Sequence, residues 1–148
     1  MRILDIEKLF QTEETLNKVL DECKEEFEKI DYYANLMKTN ITDNPEEVKK
    51  ALNELTGTFS NLRTVLALAE TEKKNRHIRF KESLRIEIEN NDEKYVDSKA
   101  EVQANANVTE YRRIRNIILA YKESVEKSIS SLQSILKYMA VEYNQPQG

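Results

Sequence analysis

The chain has 148 residues with 2 Gly, 2 Pro and 34% charged residues, so it lacks the turn chemistry of a sheet protein and its composition favours helix throughout. Hydrophobic residues make up 39%, and no window approaches the roughly 20 apolar residues that cross a bilayer. Its one cysteine, Cys23, excludes an internal disulfide or a cysteine zinc cluster, and the formal net charge of -4 weighs against unspecific binding of polyanions.

The opening MRILDIEKLF is too short and too charged for a secretory leader, so a soluble, cytoplasmic protein is expected. Ile3, Leu4, Ile6, Leu9 and Phe10 are apolar enough to dock on a neighbour but too few for an independent helix. Thr12 followed by Glu13 and Glu14 predicts a first long helix over about 12–39, with Thr12 as N-cap. Asn40, Ile41, Thr42 and Asp43 read as a loop. Asn44, Pro45, Glu46 and Glu47 then combine a cap, an N1 proline and an acidic first turn, predicting a second helix over about 45–89 with Gly57 as its weak point. Asn90, Asn91 and Asp92 end it. A short helix is expected over about 95–105, and a long one over about 109–143, before a loose tail at 144–148. The whole chain reads as one helical domain.

Apolar residues repeat at four-three spacing in each long segment. The first run is Leu16, Leu20, Cys23, Phe27, Ile30, Ala34 and Met37; the second is Val48, Leu52, Leu55, Phe59, Leu62, Leu66 and Ala69. The third is Tyr111, Ile114, Ile118, Tyr121, Val125, Ser128, Leu132, Ile135 and Met139. Such seams must bury themselves, which predicts an all-α helical hairpin or coiled-coil bundle whose seams pair both within the chain and between copies and, because the second helix overhangs the first, a homo-oligomer covering Phe80, Leu84 and Ile88 unless the last helix does so.

Continuing the second seam lands on Lys73 and Arg76, inside a stretch holding Lys73, Lys74, Arg76, Arg79, Lys81 and Arg85 against Glu82 alone. Residues 1–60 carry eight basic against fourteen acidic side chains, so an acidic chain still presents a local basic site. Single-stranded nucleic acid needs cations for phosphates and planar groups for bases. Phe80 and His77 lie among these cations, and Arg112, Arg113 and Arg115 beside Tyr111 form a second basic group. The bland alternatives are a solvated helix face for the cations and core packing for Tyr111. No Gly-rich phosphate loop, nucleophile elbow or Glu-x-x-His pair is present, and Glu25, Glu26 and Glu28 read as a solvated face, so neither an enzyme nor a metal or cofactor site is expected.

The stretch Ala69, Glu70, Lys73, Lys74 with its following cations, then Tyr95-x-x-Ser98, the small-residue segment with Val102, Ala104, Ala106 and Val108, and a final helix carrying Ile129 and Ser130-Ser131 resemble the UvsY-type recombination mediators of tailed phages. The similarity spans roughly residues 45–143. It implies a ring-like, all-helical homo-oligomer that binds single-stranded DNA and helps load a RecA-like recombinase while displacing single-strand binding protein. It also implies Lys73, Lys74, Arg76 and Arg79 as phosphate contacts. The chain departs from that family in its acidic balance and in its longer, heptad-patterned N-terminal segment.

Two other readings stay open. A structural or adaptor coiled coil would pair the basic stretch with the acidic face of the first helix, carrying Asp21, Glu22, Glu25, Glu26 and Glu28, of another subunit. An amphipathic helix lying on anionic lipid ranks last, because the apolar stripes are narrow.

Overall fold

A computed structural model describes residues 3–38 and 44–143, and every regular element among them is an α-helix. The expected loop at 40–43 and the tail at 144–148 lie outside the described residues. No helix among the described residues is long and apolar enough to cross a membrane.

The spine is α5, Pro45–Asn90, 46 residues or roughly 70 Å long. Asn44 is its N-cap: the backbone is extended there, and the side-chain oxygen accepts from Glu46 N–H at 3.0 Å, leaving Pro45 where a missing donor costs nothing. At the far end Asp92 takes a positive φ of 59°, a conformation Asp tolerates better than most residues, and the chain turns back. It returns along α5 as α6 (Asp97–Asn107) and α7 (Thr109–Tyr143), separated at Val108. The pairing is antiparallel, since Glu101 meets His77, Arg115 meets Glu70, and Lys122 lies over Phe59.

The N-terminal part forms a third layer over the proximal half of this hairpin. It comprises α1 (Ile3–Leu9), α2 (Glu13–Leu16), α3 (Lys18–Glu22) and α4 (Lys24–Lys38). The single helix expected over 12–39 is therefore broken at Asn17 and Cys23. At Cys23 the backbone N–H donates to the Val19 carbonyl at 3.1 Å, and Leu16, Val19 and Cys23, spaced i, i+3 and i+7, all turn inward. Thr12 has extended cap dihedrals, but its hydroxyl meets that of Thr15 at 2.7 Å and caps no backbone N–H. Thr15 ties the start of this layer down by donating to the Leu9 carbonyl at 2.8 Å. Ile6 and Phe10 are fully buried, so the short N-terminal segment docks as a helical turn and its exit.

The core runs between α4, α5 and α7. Phe27 stacks on Tyr121 with ring centroids 4.0 Å apart, and Tyr121 donates to Asp31 at 3.1 Å. Tyr33 donates to Glu54. Leu16, Leu55, Leu62, Leu66, Ile114, Ile118, Val125 and Leu132 of the expected seams are already buried within a single chain. Their neighbours on the expected seams, Leu20, Leu52, Phe59 and Tyr121, are half-buried, as is Phe27. A three-layer packing needs a broader stripe than a two-helix seam, which brings Ala51, Thr58 and Val65 inside on α5 and Val19, Glu26 and Tyr33 inside on the first layer. Glu26 is thus not part of a solvated face: it is 8% exposed and accepts from Asn61 Nδ2 at 3.4 Å.

Beyond the N-terminal layer, α5 and α6 extend as a two-helix arm. There Phe80, Leu84 and Ile88 are half-buried, and α6 is the helix that folds over this half of α5.

Candidate nucleic-acid interface

The helical register of α5 decides which of its cations are accessible. Residues 77 and 81 are one turn apart and face α6, whose Asp97 and Glu101 are also one turn apart. Lys81 Nζ lies 2.9 Å from Asp97 Oδ1 and 2.7 Å from Glu101 Oε2, and His77 Nε2 lies 2.9 Å from Glu101 Oε1. The hydrogen bonds to Glu101 and then Asp97 raise the Lys81 ammonium above its ordinary value. Lys81 in turn holds both carboxyls below theirs, with Tyr95 assisting at Asp97 through a 3.0 Å bond.

Arg76 is turned the other way, into the junction of α5, α7 and the N-terminal layer. It donates to the carbonyls of Phe10 and Gln11, and its guanidinium lies 4.5 Å over the Tyr111 ring. Tyr111 itself is buried and donates to the Phe10 carbonyl at 3.3 Å, so its ring is core and not a platform for bases. Arg85 pairs with Glu89 at 3.1 Å and lies 5.7 Å from the Tyr95 ring centroid.

The second basic group is engaged as well. Arg112 donates to the Asn105 carbonyl at 3.1 Å, closing the α6–α7 break. Arg113 meets Glu110 at 3.2 Å and Asn17 Oδ1 at 2.7 Å. Arg115 meets Glu70 at 3.2 Å and Asn116 at 3.0 Å. On α5, therefore, Arg76 is engaged by the N-terminal layer and α7, and His77 and Lys81 are engaged by α6.

Lys73, Lys74 and Arg79 differ. None has a hydrogen bond, ion pair or ring contact among the described residues; Lys74 and Arg79 are exposed and Lys73 is half-buried. Lys73 and Lys74 are adjacent, whereas Arg79 lies about 140° round the helix from Lys74, so the three do not form one stripe.

Sequence reasoning missed Asp97 and Glu101. The available signal was their i, i+4 spacing on a short helix, the same as that of His77 and Lys81. Cys23 is a buried free thiol whose pKa burial, and secondarily Glu26 and Glu22, pushes up to about 12, making it a core hydrophobe. Among the described residues no group of three or more His, Cys, Asp and Glu side chains is placed to hold a metal ion.

No family model, curated protein or solved structure matches the chain.

Proposed function

We propose that the chain is a non-catalytic, self-associating helical protein that binds single-stranded DNA and acts as a recombination mediator, helping to load a RecA-like recombinase in competition with single-strand binding protein. One observation carries this reading. Of the four residues that the family resemblance makes phosphate contacts, Lys73, Lys74 and Arg79 have no partner among the described residues, while the cations around them are held by the chain itself. One copy offers only a few phosphate contacts, a weak site at physiological salt; several copies on one strand multiply it through effective concentration. Exposed Ile78 and Ile86 on α5, Val102 on α6, and Tyr138 and Val141 on α7 supply apolar surface for self-association.

Titration of labelled oligo-dT at several salt concentrations tests the reading. Log affinity falls linearly with log salt, by about 0.7 per phosphate contact, and Lys73→Glu with Lys74→Glu and Arg79→Glu weakens binding at least tenfold at unchanged helicity. Light scattering at micromolar concentration reports a mass above that of one chain.

A second reading, a protein scaffold or adaptor without nucleic-acid binding, is favoured by the internal engagement of Arg76, Lys81, Arg85, Arg112, Arg113 and Arg115. It predicts no oligo-dT binding at any salt.

A further inference from the structure

Helix α6 is held on α5 by a small apolar contact and a cluster of ion pairs. Its buried side chains are Ala100 and Ala104, and Val102 is 69% exposed, so little apolar area holds it down. In place of a large apolar contact it has the clasp of Asp97 and Glu101 on Lys81 and His77, all at 2.7–2.9 Å. Breaks bound α6 on both sides, the Asp92 turn before it and the Val108 interruption after it.

The surface beneath it is chemically distinct. Lys74, His77 and Lys81 follow one another along one stripe of α5 at i, i+3 and i+7, and Lys74, without a partner among the described residues, opens that stripe. Phe80, Leu84 and Ile88 lie half-buried beside it.

We propose that α6 is an internal competitor for this stripe: the carboxylates of Asp97 and Glu101 stand where the phosphates of a single DNA strand bind, and the strand displaces α6 from the arm. The inference rests on the single-strand reading above and names its regulation. Displacement hands Lys81 and His77 to the strand next to Lys74 and uncovers Phe80 as a ring on which a base stacks. The free protein keeps the site closed, so casual polyanions with few phosphates gain too little to open it. A strand long enough to engage Lys73, Lys74 and Lys81 together does open it.

The test compares oligo-dT affinity across salt for the native chain and for Asp97→Asn with Glu101→Gln. The double variant binds on the order of threefold to tenfold more tightly, because the cost of opening the clasp is gone while the phosphate contacts in the complex stay the same. Adding Lys81→Gln removes the gain. In the native chain, oligo-dT increases amide hydrogen exchange across 97–107. Binding by the native chain with no gain in the double variant at retained helicity overturns the displacement while leaving the single-strand reading intact. If the double variant loses helicity, exchange in the native chain decides, and α6 amides unchanged or better protected with oligo-dT overturn the proposal. No binding by the native chain at any salt overturns both.

Discussion

Arg76 and Tyr111 converge on one acceptor: the guanidinium lies 4.5 Å over the tyrosine ring, and both side chains donate to the carbonyl of Phe10, each at 3.3 Å. A cation at the continuation of an apolar seam is thereby given a face of π density and a backbone oxygen, and the N-terminal layer is pinned to α5 and α7 at one point. Arg76→Ala removes these contacts and leaves a buried carbonyl underserved, so it destabilises the chain by about 1–3 kcal/mol. Exposed Arg79→Ala stays within about 0.5 kcal/mol. Urea unfolding of the two variants side by side checks the contrast; equal midpoints would show that the Arg76 cluster holds nothing.

Gly57 sits in mid-helix in α5, and a Cβ built there meets nothing within 4 Å. Gly57→Ala restricts the unfolded chain at no steric cost and raises stability by about 0.5–1 kcal/mol. Thermal unfolding by circular dichroism reads this as a higher Tm.

Thr58, one residue on, is 2% exposed, and its hydroxyl has no hydrogen-bond partner among the described residues. Thr58→Val keeps the shape and removes the desolvated hydroxyl, adding about 1–2 kcal/mol. Loss of stability in this variant would mean that the hydroxyl is solvated or bonded in solution.

Cys23 makes stability fall on the alkaline side. Its thiol ionises near 9 when the chain is unfolded and near 12 in the core, so the protonated form favours the fold. That contribution is complete below pH 9 and is lost as pH rises towards 12, at no more than about 1.4 kcal/mol per pH unit for one group. Tyr33, raised by burial and by its hydrogen bond to Glu54, adds the same sign above its ordinary value of 10. Urea midpoints at pH 7.5, 9 and 10.5 fall progressively, and less so for Cys23→Val. At pH 8 a disulfide reagent titrates this thiol only as fast as the chain opens; rapid labelling of the native chain would place Cys23 outside the core.

Some of this was open to reading along the chain and some was not. Asn44-Pro45-Glu46-Glu47 marks the start of α5 through cap and dipole chemistry carried by neighbouring residues, and the Tyr111 to Met139 periodicity marks the face that α7 turns inward. The breaks at Asn17 and Cys23 are different. No strong helix breaker stands at either position, and Leu16, Val19 and Cys23 keep ordinary helical spacing across them, so nothing in the local pattern marks the breaks. Glu26 goes inside because the first layer's buried stripe follows Val19, Cys23, Ile30 and Tyr33 and not Leu20, Phe27 and Ala34.

By itself the sequence determined the all-helical class and the ends of the long helices, because caps, prolines and 3.6-residue periodicity act over one or two turns. Only the tertiary structure decided the fate of the charges. Whether Lys81 meets water, a phosphate or Glu101 depends on a turn at Asp92 that folds α6 back over α5, and whether Arg76 points outward depends on a carbonyl at Phe10, 66 residues away. Charge pairing is a long-range outcome of packing, and composition counts cations without knowing which of them the fold will hold.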